Sequence, residues 1–378
     1  MLRQKYNKCI LIDSEYTKQQ MDLVVNDFED VLYLFFSDNE KVEEYLTNKA
    51  VSFLCIDIPY DIQQYEKNIF LRISFASAVA EYYQSEMLLL VCDSRNFFYE
   101  TKVVDDYIKK IAKVIFYGTK SKICFQYMNM LAEKHVKDFT NSPDLGTGSN
   151  KVMVLYSGGL DCSVAYKLAT LFAKDISLLF FDYGQRNVVE EKSSCRGIFR
   201  GEKRKNIHYI KINLNSFFES ISNNCGLLSR EINLTDENKE LEYVPFRNTI
   251  FISIALCICQ TKNIHMIVTG SQNDDVISPD NSSLYYDALN ELISMQYGTK
   301  QIYLNPILKK IGGKKETIQL GDILGVDFEN TWTCHKESQD SQRRIQCGEC
   351  IDCRARYAAF KELGLQDPVM YKIIPRNI

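Results

Sequence analysis

The sequence predicts an α/β protein in three parts: an N-terminal α/β domain, a second α/β domain built on a parallel sheet, and a C-terminal four-cysteine knuckle. Three observations carry that reading. Short apolar runs alternate with helical stretches along the first 137 residues and again beyond residue 151, as strands and helices do in layered α/β folds. Residues 151–170 read KVMVLYSGGLDCSVAYKLAT, which places a strand, a Ser-Gly-Gly turn and an apolar helix in direct succession. Residues 334–353 space four cysteines as C-x12-C-x2-C-x2-C. The expected boundaries are 1–140 for the first domain, 141–150 for a linker, 151–330 for the second domain and 331–378 for the metal-binding tail.

Length and composition agree. A chain of 378 residues suggests two or three domains. Apolar residues at 46% and charged residues at 25% suffice for a sizeable core. The net charge of −4 gives no electrostatic argument for direct nucleic-acid or membrane-surface binding. No uninterrupted apolar run reaches the roughly 18 residues of a membrane helix. The apolar run 9–12 is cut short by Asp13 and Glu15, so no signal peptide is expected and the cytoplasm is the expected location. Thirteen cysteines are an odd number, which argues against a complete disulfide framework and for buried thiols with some metal ligands.

In the first domain, 8–12, 31–36, 51–58, 87–92 and 113–117 read as short buried strands, with helical stretches at 38–49, 68–83, 103–111 and 123–137. No chemical motif stands out there. Asp57 and Asp93 each follow a strand, where open α/β sheets bind ligands, but turn capping is the commoner use of such residues. Tyr33, Phe35, Phe36, Phe97, Phe98 and Tyr99 read as core or interface material. Residues 140–150, TNSPDLGTGSN, lose all periodicity, as a linker does. Beyond them, 152–156, 176–181, 207–212 and 265–269 read as strands, with helices over 164–172 and 250–260 and a polar, mobile excursion over 216–240. Polar clusters follow the strands, notably DYGQR at 182–186 and GSQNDD at 270–275. In a doubly wound sheet such loops gather at one edge.

The turn at 157–163, SGGLDCS, is suited to an anion. Two glycines let the backbone approach a ligand closely, and the N–H groups that open the next helix point at it. It is neither a Gly-Lys-Ser/Thr phosphate loop nor GxGxxG. A plain Gly-Gly turn capped by Ser157 and Asp161 is the simpler alternative. Strand, Ser-Gly-Gly-x-Asp-x-Ser, helix resembles the PP-loop of the ATP pyrophosphatases, which cut ATP between the α and β phosphates. Arg186 and Arg247 lie in strand-following loops and offer planar forks to carboxylate or phosphate, unless ion pairs with Glu190, Glu191 or Glu242 occupy them. In the tail, two overlapping Cys-x-x-Cys turns with Gly348 at the knuckle would close a four-sulfur zinc site, while closely spaced cysteines also ligate iron–sulfur clusters. A closed site of this kind folds the tail and leaves no open position for substrate. His335 is its neighbour.

The order YSGGLDCS, FDYGQR, YVPFRNTIF, a G-x-x-x-x-D loop, Lys314-Lys315-Glu316 after Pro306, and TWTC followed by CGECIDCRARYAAFKELGLQDP resembles the 7-cyano-7-deazaguanine synthases, the QueC family. The similarity covers 151 to about 370 and leaves the first 150 residues out. It implies a Rossmann-like PP-loop domain acting on ATP and 7-carboxy-7-deazaguanine: the carboxylate is adenylated, ammonia gives an amide, and a second adenylation dehydrates that amide to a nitrile. It further implies that Tyr156, Ser157, Gly158, Gly159, Asp161, Ser163 and Arg186 hold ATP with its Mg²⁺, with Ser157, Asp161 and Lys314 serving the chemistry. Tyr183, Gln185, Arg247, Asn248 and Asp275 would line the substrate pocket, and Cys334, Cys347, Cys350 and Cys353 would hold Zn²⁺. The chain departs from the family pattern at Cys162, Asn187, Phe246 and Asn281-Ser282. These changes point to retained ATP chemistry with an altered acceptor side. QueC-like proteins with extra N-terminal domains occur in antiphage defence modules, so the resemblance also implies a protein amine acceptor or an operon-encoded partner reached through residues 1–140. Free nitrile synthesis in queuosine biosynthesis and an inactive nucleotide-binding scaffold are the competing readings. Oligomeric state stays open, a homodimer included.

Overall fold

The computed structural model describes residues 6–12, 21, 25, 30–36, 40–49, 51–65, 68–92, 101–129, 151–201, 206–221, 225–232, 234, 236–272, 278–297, 302–340 and 342–375. The chain divides into two compact units. One comprises Met1–Gly146, Pro245–Cys257 and Ser278–Gln301, and the other Thr147–Val244, Ile258–Ile277 and Ile302–Ile378.

The first unit holds a five-stranded, all-parallel sheet of order β3-β2-β1-β4-β5, with β1 Lys8–Ile12, β2 Val31–Phe36, β3 Phe53–Ile56, β4 Met87–Cys92 and β5 Cys124–Asn129. Every residue of β2 is buried, as a strand covered by helices on both faces requires. The helices are α1 Glu40–Lys49, α2 Ile69–Tyr82 and α3 Thr101–Gly118. Two expectations are corrected. Residues 113–117 are the end of α3 rather than a strand, because Ile111, Val114, Ile115 and Gly118 are buried at helical spacing. The fifth strand lies at Cys124–Asn129, where a helix was expected, and pairs in register with β4 from Met87↔Cys124 to Cys92↔Asn129. Asp57 is exposed. Asp93, Phe97, Phe98, Tyr99 and the 140–150 linker lie outside the described residues.

The second unit has a parallel sheet of order β10-β9-β6-β7-β8. Its elements are β6 Lys151–Leu155, α4 Leu160–Phe172, β7 Asp175–Asp182, α5 Val188–Gly201, β8 Ile207–Asn213 and α6 Asn215–Ile221. Helix α6 replaces the start of the expected polar excursion, since Phe217, Phe218 and Ile221 are buried. Helix α7, Arg247–Lys262, begins in the first unit and ends in the second. Then come β9 Met266–Val268, α8 Ser283–Tyr297 of the first unit, β10 Tyr303–Asn305, α9 Lys314–Ile323, β11 Ile345–Gln346, α10 Ile351–Glu362 and β12 Met370–Tyr371. Strand order reverses between β6 and β9, and the Ser-Gly-Gly turn leaves β6 at that point, where doubly wound sheets bind ligands. One stretch, Glu240–Lys262, has the length and apolarity of a membrane span, but 67% of its apolar window is buried inside the protein, as in a core helix.

Within the first unit, α3 packs on α8, with Lys113 Nζ 3.2 Å from Glu291. The Ser74 hydroxyl of α2 lies 2.7 Å from that of Ser253 on α7. Phe246, just before α7, has φ +53° and is fully buried. A bulky residue in the left-handed region costs on the order of 1–3 kcal/mol, so its packing must hold it there.

Glu81 of α2 is 6% exposed and accepts the Ser121 N–H at 3.1 Å. Burial pushes its carboxyl from an ordinary 4.5 up to about 7, against the opposing N–H bonds and with help from the Asp280 charge. A raised carboxyl stabilises the fold fully below pH 4.5, and that contribution is lost as pH rises through about 7. Glu81→Gln is therefore expected to leave the melting temperature nearly unchanged at pH 4.5 and to raise it at pH 8. The corresponding stability difference is up to about 3 kcal/mol at 1.36 kcal/mol per pH unit. Equal shifts at both pH values in thermal melts would refute it.

Candidate active site

The turn from β6 into α4 is built to bring backbone close. Gly158 has φ +80°, and a Cβ there would lie 2.6 Å from the Ser194 Cβ and 2.9 Å from the Glu191 carbonyl, so α5 packs directly on the loop. A Cβ on Gly270 would reach the Cys162 nitrogen at 2.8 Å, which sets the loop after β9 against the first turn of α4. Gly159 occupies the N-cap without a side-chain bond, leaving first-turn N–H groups for an anion. Lys314, the first residue of α9, places its Nζ 2.6 Å from Asp161 Oδ2, while Asp161 Oδ1 is a buried oxygen with no hydrogen-bond partner among the described residues. The expected Lys-Lys-Glu turn is thus a helix start, held by the Gly313 N–H donating to Glu316 at 3.0 Å.

Other expected loop residues face inward. The Ser163 hydroxyl is buried and donates to the Gly159 carbonyl at 2.7 Å, with the Tyr156 hydroxyl 3.2 Å away. Tyr156 is itself 2% exposed. Ser157 is part-exposed, its Oγ 3.6 Å from Cys162 Sγ. Burial pushes the Cys162 thiol up to about 11, so it is a neutral packing group rather than a nucleophile.

After β7, Gln185 locks the turn. Its amide donates to the Phe181 carbonyl at 3.0 Å and to Glu191 at 2.7 Å, and its oxygen accepts the Tyr183 N–H at 2.9 Å. The Arg186 side chain is 7% exposed and pairs with Glu337 at 3.3 Å, also donating to the carbonyls of Ser229 and Ile232 at 3.2 and 2.9 Å. Its ion-pair partner is therefore neither Glu190 nor Glu191. The Tyr183 ring stands edge-on to Phe218, with centroids 5.8 Å apart.

Arg247 and Asn248 belong to the first unit, at the start of α7. Asp280 accepts the Asn248 backbone N–H at 2.8 Å and its side-chain amide at 3.2 Å. Burial lifts the Asp280 carboxyl to about 6, opposed by the nearby Arg247 charge. Asp275 lies outside the described residues.

In the tail, the sulfurs of Cys334, Cys347, Cys350 and Cys353 all lie within 4.8 Å of one another, and the four residues are buried. Cys334 Sγ accepts N–H groups from Lys336 and Cys347 at 3.4 and 3.5 Å; Cys347 Sγ accepts those of Glu349 and Cys350 at 3.4 and 3.3 Å. Gly348 has φ +78°, and a Cβ there would run into the Ile373 carbonyl. Four sulfurs this close together cannot all be thiolates without a cation among them. This donor set fits a closed tetrahedral zinc site. Beside it, His335 Nε2 lies 2.6 Å from Asp352 and 3.4 Å from Glu242, a cluster the spacing of the cysteines did not announce.

The knuckle also braces the phosphate loop. The Trp332 backbone N–H donates to the Gly158 carbonyl at 3.0 Å, Asn187 donates to the Cys334 carbonyl at 2.9 Å, and the Arg344 guanidinium reaches Ser194 while lying 5.5 Å from the centre of the Trp332 ring. Trp332 and Gly270, quoted only as parts of motifs, and Arg344, not singled out at all, shape the loop. Only the fold reveals their proximity to it.

The family model described as queuosine biosynthesis protein QueC matches residues 151–364. The chain belongs to the QueC family. Among QueC relatives, the 7-cyano-7-deazaguanine synthase of Thermoplasma volcanium is 34% identical over 233 residues, covering 60% of this chain and 92% of that protein. The enzyme of the same name from Clostridium kluyveri is 33% identical over 235 residues, covering 59% and 98%. Both alignments are of a length with the QueC match, which leaves the first 150 residues outside it.

Proposed function

We propose that this QueC protein is an ATP-dependent C–N ligase that adenylates a 7-deazaguanine carboxylic acid, 7-carboxy-7-deazaguanine, and transfers the acyl group to an amine. The observation that carries this reading is the loop after β6, with its open first-turn N–H groups and the Asp161–Lys314 pair at 2.6 Å. The substrate's carboxylate oxygen forms a bond to the α-phosphorus as the bond to the β-phosphate oxygen breaks, and pyrophosphate leaves. Negative charge grows on that leaving group, and the α4 N–H groups and Ser157 of the loop, with Lys314 from the start of α9, would offset it. Mg²⁺, when bound, supplies further charge neutralisation, with Asp161 as its holder. An amine nitrogen then attacks the acyl carbon, AMP departs, and the amine gives up a proton. Arg247, Asn248 and Asp275 are the proposed deazaguanine contacts. Ser163, Gln185 and Arg186 hold the loops through their bonds to neighbouring protein groups.

For the acceptor, we favour a protein amine, in an antiphage defence setting in the cytoplasm, over ammonia. The support is the N-terminal sequence that lies outside the QueC match and forms one compact unit with segments 245–257 and 278–301. The full chain incubated with ATP, Mg²⁺ and 7-carboxy-7-deazaguanine is expected to release AMP, to make little nitrile when ammonia is added, and to label a protein from its operon by the mass of the acyl group. Efficient nitrile formation with ammonia alone would instead establish the biosynthetic reaction, and no AMP under any condition would leave a scaffold.

A further inference from the structure

The start of α7 is held from three sides within the first unit. Asp280 takes both nitrogens of Asn248. The Thr249 hydroxyl lies 2.8 Å from that of Tyr285 on α8. The third contact is steric: a Cβ built on Gly118, the last residue of α3, would lie 2.8 Å from Phe246 Cε2 and 2.9 Å from Tyr285 Cε2. Both rings are fully buried, so neither has room to swing away. Gly118 shows no positive φ, so its lack of a side chain answers to this contact rather than to its own backbone. Phe246 in turn adopts the left-handed conformation immediately before Arg247, and its buried ring is what fixes that peptide unit.

We propose that Gly118 and Phe246 form a lock through which α3 sets the position of Arg247 and Asn248, making both positioning residues for substrate binding. This rests on the reading of Arg247 and Asn248 as contacts to the deazaguanine acid. On this view the extra N-terminal sequence is part of the substrate site's support rather than an appended module, and the affinity for the acid depends on a helix that the QueC match does not include.

The test uses the full chain with Gly118→Ala. Alanine is the better helix former, so local propensity alone expects no harm. The lock expects the KM for 7-carboxy-7-deazaguanine in the AMP-release assay to rise about tenfold, with the KM for ATP unchanged and kcat altered less than threefold. Adding Phe246→Leu, which replaces the opposing ring with a shorter aliphatic chain, should recover most of that loss. Phe246→Leu alone should raise the same KM severalfold, which keeps the idea testable should Gly118→Ala express poorly. Amide hydrogen exchange at 248–253 should quicken in Gly118→Ala and slow again in the double variant. A wild-type KM for Gly118→Ala, or a double variant no better than the single, overturns the lock. Arg247→Gln run in parallel separates the two ideas: if it leaves the KM for the acid unchanged, the substrate-contact reading fails, and unchanged exchange at 248–253 then removes the lock as well.

Discussion

Asp161→Ala is expected to lower AMP release by about 10²–10³, the scale at which removing one preorganised charge-stabilising group acts. The carboxylate stands in the first turn of α4 with Lys314 on one oxygen and no partner among the described residues on the other. A buried, unpartnered carboxylate oxygen is costly unless something cationic meets it, and a magnesium–pyrophosphate ligand would do so. The fold should survive, because Asp161 is partly exposed. Ser157→Ala should act in the same direction. Unimpaired AMP release by both variants, with circular dichroism unchanged, would remove the phosphate-loop assignment.

Cys353→Ser should reduce zinc content from about one ion per chain to near none, since a hydroxyl is a poor fourth ligand in a closed thiolate set. Its reach should extend past the tail. Trp332 and Asn187 tie the knuckle to Gly158 and α5, so a disordered knuckle withdraws the floor of the loop. Loss of AMP release is therefore expected together with a lowered melting temperature, and chelation of the wild-type chain should reproduce both. Metal analysis finding no zinc, or an iron–sulfur absorbance band, would rule out this account.

The second unit was legible because its central strands are short, mostly apolar and followed by polar clusters, and because the glycines and cysteines sit at spacings that chemistry restricts. In the first unit, residues 113–117 form an apolar run of a length that strand and helix share. Only burial at 111, 114, 115 and 118 separates them. At the site, the sequence named the residues but not their partners. Arg186 meets Glu337, 151 positions away, and Gln185 folds back on its own turn. The contact between Phe246 and Gly118 joins residues 128 positions apart, one within the QueC match and one outside it. No periodicity encodes such a meeting.

The unit that begins at Met1 closes only with residues 278–301, which has a consequence during synthesis. A ribosome adds about 5–20 residues per second, so roughly 8–34 s pass between the emergence of β5 and that of the end of α8. Throughout that interval the nascent chain carries a parallel sheet without the helices that finish its core, while the second sheet is already being made. Nascent chains of this protein should therefore engage chaperones from about residue 129 until residue 297 has cleared the exit tunnel, and a product terminated anywhere in that span has no complete first unit to fall back on.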